Sequence, residues 1–347
     1  MRMIARFLTG AAACAVLAST AFAGGRNPGS VLVYPVHYSG QFATVVSVTN
    51  TNLVPENPNS LSGATNVHFE YVNAIYNPYD YFCPLDCIVF DRVEYLTPAD
   101  TLSVLTAFHN ATFVGTGGDM YGSEGYLVVS AEDPYAFDAP WSHNYLVGSE
   151  LVLNPTGGMY SVNAIAMNAV GDDGVATDAD ADGQLDFDGI EYEEIPDVLM
   201  IDSFLAAAGS SLALINFTGG PKAENTVLFR VWNDNEFPLS ATLTFCCWFN
   251  QPLYYVNPLF SESFLENNTP HDPTELDITG DGNDDLQTGW ATIDSILVLT
   301  SGGSVLANDG AMLGSITAGP ASFIDGGRLL WESVETQDNG QFVDYRQ

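Results

Sequence analysis

Val67-His68-Phe69-Glu70-Tyr71-Val72-Asn73 recurs 160 residues downstream as Val227-Leu228-Phe229-Arg230-Val231-Trp232-Asn233. Both stretches read V-x-F-x-[YV]-x-N. Successive side chains of a strand point to opposite faces, so Val, Phe and Tyr or Val fall on one side, as in a strand laying one face on a core. His68 alternates out of that face and is expected to be exposed or capped rather than a ligand. The closing asparagines are expected to end each strand, because an Asx side chain can bond the turning backbone. Upstream, Ser47-Val48-Thr49-Asn50 matches Ala213-Leu214-Ile215-Asn216, after which the loop is six residues longer in the first copy.

Outward from these stretches, short runs rich in β-branched and aromatic residues are separated by Gly, Pro, Asn and Asp. They predict strands at 31–34, 42–48, 67–72, 88–95, 101–108, 126–130 and 151–153, then at 198–201, 212–215, 227–232, 241–249 and 293–300. No stretch keeps helical periodicity over three turns, although 310–317 is consistent with a short helix. The expected fold is all-β: two tandem, duplicated antiparallel Ig-like β-sandwiches at 24–170 and 198–347. An acidic connector, 171–197, joins them, and the second carries an inserted loop at 277–288.

Two Asp-rich loops carry the clearest chemistry. The first holds Asp178, Asp180, Asp182 and Asp186, with Gly183 at the sixth position and Gln184 offering its backbone carbonyl. The second holds Asp277, Thr279, Asp281 and Asp285, with Gly282 sixth and Asn283 offering a carbonyl. Oxygen groups at positions 1, 3, 5 and 9 around a sharp glycine turn suit a hard cation, calcium above all. An EF-hand would place Glu at position 12, but Gly189 and Thr288 stand there. In the first loop Asp188 or Glu191 is expected to fill that vacancy. The loops resemble the calcium loops of thrombospondin type 3 repeats, dockerins and FG-GAP repeats; the likeness implies calcium ligation and no enzymatic activity. The first site is expected to stiffen the joint between sandwiches.

The opening residues read as a secretory signal peptide, 1–23: Arg2 and Arg6, an apolar run, then Ala21-Phe22-Ala23 before the cleavage point. The formal net charge is −35, from 43 acidic and 8 basic residues, and Lys222 is the only lysine. Removing the leader leaves six basic residues. So little Lys and Arg excludes nucleic acid as a partner and disfavours anionic membrane surfaces. No membrane insertion is expected after signal cleavage, and the destination is the periplasm or the extracellular space. Cys83, Cys87, Cys246 and Cys247 form an even set that suggests disulfides in an exported chain. Cys246 and Cys247 fall in one strand-like run, on opposite faces. Cys87–Cys247 is the favoured bridge, with Cys83 pairing Cys246 or free; the spacing suits a four-thiolate zinc site poorly.

Catalytic motifs are missing: no G-x-S-x-G, H-E-x-x-H or P-loop, and the five histidines show no ligand spacing. Tyr76, Tyr79 and Tyr81 alternate with turn-forming residues and offer a surface for sugar rings or a protein partner. Trp232, Trp248 and Trp290 lie in strand-like runs and are expected in the core. The stretches 26–35 (R-N-P-G-S-V-L-V-Y-P), 47–52, 96–102 (L-T-P-A-D-T-L) and Thr288-Gly289-Trp290 together resemble a family of uncharacterised exported bacterial proteins, which implies compartment and fold but no activity. The expected function is therefore a calcium-stabilised, non-catalytic binding or structural protein of the cell surface or matrix, with a protein or glycan partner. A calcium-dependent carbohydrate-binding module is the alternative, and a secreted polysaccharide hydrolase a third.

Overall fold

Burial along the strands separates two kinds of sheet. Ala43–Asn50 buries every second residue, whereas Val31–Tyr38 is buried almost throughout. A strand that alternates has one face on a core and the other towards water; a continuously buried strand is covered on both faces. The computed structural model describes residues 27–39, 43–56, 63–80, 83–110, 123–136, 139–153, 159–206, 210–233, 236–268 and 287–318, with strand segments at 325–328, 330–331 and 340–342. It is mostly strand, 58%, in antiparallel sheets packed as sandwiches, so the all-β expectation holds.

The first half contributes β1 (Val31–Tyr38), β2 (Ala43–Asn50), β3 (Thr65–Tyr76), β4 (Leu85–Leu96), β5 (Thr101–Leu105), β6 (Glu124–Glu132), β7 (Leu146–Leu153), β8 (Met159–Asn163) and β9 (Ile165–Met167). They form two sheets, ordered β4-β3-β6-β1-β9 and β5-β2-β7-β8. After β10 (Leu185–Phe187), the second half contributes β11 (Val198–Leu205), β12 (Ser211–Asn216), β13 (Glu224–Asn233), β14 (Pro238–Phe245), β15 (Trp248–Pro252), β16 (Thr288–Leu299), β17 (Val305–Ala307), β18 (Met312–Ala318), β19 (Asp325–Arg328), β20 (Leu330–Trp331) and β21 (Gly340–Phe342). Its sheets run β14-β13-β16-β11-β20 and β15-β12-β18-β19, the same order position for position; β17 adds to the edge of β16. An immunoglobulin domain sets its first strand beside its second and its last beside its sixth. Here β1 pairs β6 and β7 pairs β2, so those two strands have exchanged sheets.

The four sheets stack in layers with three cores between them. Leu32, Tyr34, Val46, Phe69 and Leu127 fill the interior of the first sandwich. Leu212, Leu214, Phe229, Ile293 and Phe260 fill the second. Between them Val31, Val33, Tyr126 and Val128 meet Ala213, Ile215, Trp248 and Leu313 in a core that both halves share. The matching sequence stretches occupy matching places: Val67, Phe69 and Tyr71 face one interior, Val227, Phe229 and Val231 the other. Asn50 and Asn216 make the same turn, each accepting a hydrogen bond from the backbone N–H two residues on, at 3.0 and 3.2 Å.

The shared core explains several departures from the sequence reading. His68 is buried rather than exposed, at 4%, because β3 is covered on both faces. Asn73 does not end its strand; β3 runs on to Tyr76, and Asn73 joins a buried network with Asn110 and Ser123. Asn233 does end β13, accepting from the Phe237 N–H at 2.8 Å. The run 310–317 holds no helix; from Met312 it is strand β18, paired along β12 with Met312, Leu313 and Ile316 buried. The run 101–108 breaks at Leu105 into a one-turn helix, α1 (Thr106–His109). Trp248 is core, but Trp232 and Trp290 stack at 4.1 Å with Trp290 39% exposed, outside it.

The joint is also tied covalently. Cys83 bridges Cys246 and Cys87 bridges Cys247, each across the two halves. The expected strand 241–249 is interrupted at this point. Cys246 and Cys247 occupy a bend between β14 and β15, so both sulfurs reach the same hairpin instead of opposite faces. Lys222 donates to Asp80 and Asp86 and to the Cys83 and Leu85 carbonyls. Burial opposes its charge, but the hydrogen bonds to Asp86 and Asp80 win and hold its pKa above the ordinary lysine value. Trp248 Nε1 donates to the Pro35 carbonyl at 3.0 Å, and Asn250 to the Tyr38 hydroxyl at 2.7 Å.

Candidate metal centre

Residues 168–195 do not hang between two bodies; they fold along the joint. Ala169 bridges Tyr192, and Leu185, Phe187, Tyr192 and Ile195 are buried in the shared core. From this base the segment 178–184 loops outward. Gly183 turns it at φ +78°, a left-handed conformation that glycine adopts without a Cβ clash. Ala181 is also left-handed, at φ 63°. These turns point the backbone N–H groups at the carboxylates. The Asp182 N–H reaches Asp178 and Asp180 oxygens at 3.2 Å each, and the Gly183 N–H reaches Asp178 at 3.2 Å. Gln184 binds Asp182 through its backbone N–H at 2.9 Å and its side-chain amide at 3.2 Å.

Two triads of carboxylate oxygens result, each within 4.8 Å: Asp178, Asp180 and Asp182, and Asp180, Asp186 and Glu191. They share Asp180, so five carboxyl groups surround one loop. Calcium ligands sit about 2.3–2.6 Å from the ion, which places opposite ligands about 5 Å apart. Triads of this size can therefore ligate a hard dication with little rearrangement.

Of the two candidates for the missing glutamate, the structure places Glu191 in the cage and Asp188 behind it. Asp188 Oδ1 accepts from the Ile190 N–H at 2.7 Å and the Glu191 N–H at 3.1 Å, and this turn folds Glu191 back. The Glu191 carboxyl accepts from the Ala179 and Asp186 N–H groups. It is only 5% exposed. Burial raises its pKa; the two N–H groups oppose that, and the charges of Asp186 and Asp178 reinforce it. The sequence offered no means of choosing between these two residues, because the choice depends on a turn made by the 188–191 backbone.

The second Asp-rich loop, with Asp277, Thr279, Asp281, Asn283 and Asp285, lies outside the described residues, as does Tyr81. Tyr76 and Tyr79 are 70% and 88% exposed beside the Cys83–Cys87 hairpin. Glu262 and Glu266 lie one turn apart on α3 (Glu262–Asn268), after α2 (Leu253–Val256), and line a hollow of about 390 Å³ with Tyr254 and Phe260. Among the described residues no helix is long and apolar enough to cross a membrane.

Comparison with known protein families, with curated proteins and with solved structures returns no match.

Proposed function

We propose that this is an exported, non-catalytic binding or structural protein, stabilised by calcium and acting in adhesion or matrix at the bacterial surface or beyond it. The observation that carries the reading is the cage of Asp178, Asp180, Asp182, Asp186 and Glu191, mounted on a segment buried between the two sandwiches. A dication there offsets two of the negative charges on five clustered carboxyl groups and fastens the loop to the joint, so the metal acts mechanically. Free calcium at 100 times its dissociation constant adds about 2.7 kcal/mol per site. The repeated strand order supports descent from one duplicated sandwich. The calcium loop joined to that order is a later elaboration in this reading.

The test is chelation. Removing calcium from the intact chain is expected to lower its melting temperature and to open 171–197 to limited proteolysis, and Asp180→Asn should reproduce both effects. Unchanged melting and unchanged cleavage would remove the mechanical role. Exposure of Tyr76 and Tyr79 favours a glycan-binding second reading, because two uncovered phenol rings supply stacking faces. A glycan array with and without calcium separates the two, with signal at Tyr79→Ala lost only if the tyrosines bind sugar.

A further inference from the structure

A second cluster of ligating groups lies on the sheet face that meets the joint. His68 and Glu70 stand two residues apart on β3, hence on one face, and Asp91 of β4 lies directly opposite Glu70 in the register. One donor atom of each falls within 4.8 Å of the other two. His68 and Glu70 are 4% and 3% exposed. The ring is held in place, because Nδ1 sits 2.9 Å from a Glu132 carboxylate oxygen. Its other nitrogen, Nε2, is buried and faces Asp91 Oδ1 at 3.7 Å, just beyond hydrogen-bond distance.

We propose that His68, Glu70 and Asp91 form a metal centre for a first-row transition-metal dication, Zn²⁺ foremost, with Glu132 as the carboxylate that orients the ring. A ligating histidine characteristically gives its second nitrogen to a carboxylate, and the His68–Glu132 contact has that form. Ligands about 2.0–2.1 Å from zinc lie about 3.3 Å apart in a tetrahedron, so the His68–Asp91 edge closes with a shift of a few tenths of an ångström. The donor set, an imidazole nitrogen with carboxylates, selects zinc over calcium, which takes oxygen alone. Three carboxyl groups meet one imidazole here. The Asp91 side chain is 25% exposed and gives the ion its way in.

The centre is independent of the Asp-rich loop, and the experiment keeps them apart. Disulfide-intact protein, saturated with calcium, is equilibrated with micromolar Zn²⁺ and its metal content measured by mass spectrometry and titration calorimetry. One zinc per chain is expected in the wild type and in Asp180→Asn. At least tenfold weaker binding is expected in His68→Gln and in Asp91→Asn. Asp91→Asn decides the matter if His68→Gln fails to fold, because its side chain is partly exposed. Absence of zinc in the wild type, or wild-type affinity in Asp91→Asn, overturns the proposal.

Discussion

Glu150 lies on β7 between Val46 and Val162, fully buried, with Tyr34, Tyr38 and Tyr160 around it. Burial raises its pKa well above the usual carboxylate range, and only the Val36 N–H favours the anion. A carboxyl whose folded pKa is raised contributes stability below its unfolded pKa, and that stability is lost as pH rises towards the folded value. His37 and His143 behave oppositely: burial lowers both to about 4. Each favours the fold above its unfolded pKa of about 6.5 and loses that contribution as pH falls towards 4. Above the unfolded histidine pKa the histidine contributions are constant, and Glu150 loses stability as pH rises, together with Glu191 and His68 in metal-free protein. The melting temperature is therefore expected to fall as pH rises above about 6.5, at about 1.4 kcal/mol per pH unit for each such group. Glu150→Gln is expected to raise stability at pH 8 and flatten the alkaline limb, read by thermal melts across pH. Gly183→Ala should cost about 1–2 kcal/mol through its left-handed backbone alone, since no atom lies within 4 Å of the added Cβ. At this scale the proximity of Asp178, Asp180 and Asp182 was legible, because their spacing is a backbone property. It was not legible for Glu150 or His68, whose burial is decided by sheets far away in the chain.

The hairpin β3–β4 and the bend between β14 and β15 are the elements that hold the halves together. Their two disulfides close intervals of 163 and 160 residues. The pair Cys83→Ser with Cys246→Ser is expected to lower unfolding free energy by about 2–4 kcal/mol, measured by denaturant titration. Elements with one wet face were readable: β2 and β13 alternate, and both stand in outer sheets or on their sandwich interiors as the period implied. Elements covered twice were not. Residues 312–317 bury both faces of a strand, so no period of two survives in Met-Leu-Gly-Ser-Ile-Thr. The β-forming neighbours of Cys246–Cys247 predict strand interior there; the break is imposed by the chain passing from one sheet to the next.

Taken whole, four large sheets are stacked, with β10 and β21 paired as a small fifth, and the middle core is the part no local pattern announced. Composition did announce the charge. With a formal net charge of −35, mutual repulsion opposes compaction, and ions relieve it in two ways. Raising sodium chloride from about 10 mM to 150 mM shortens the screening length from about 30 Å to 8 Å. The calcium-free protein should gain more melting temperature from that change than the calcium-loaded one, because part of its repulsion is still uncompensated. Equal gains would show that the Asp-rich loop takes no part in the charge balance.

Lys222 carries a practical consequence. It is the chain's single ε-amine, and its nitrogen is engaged by groups from the opposite half while its side chain keeps 33% of its surface accessible. An amine-acylating reagent thus has one internal target, and reaction there must first detach the nitrogen from Asp80 and Asp86. The rate of that modification would serve as a built-in gauge of how often the two sandwiches part, without any engineered probe.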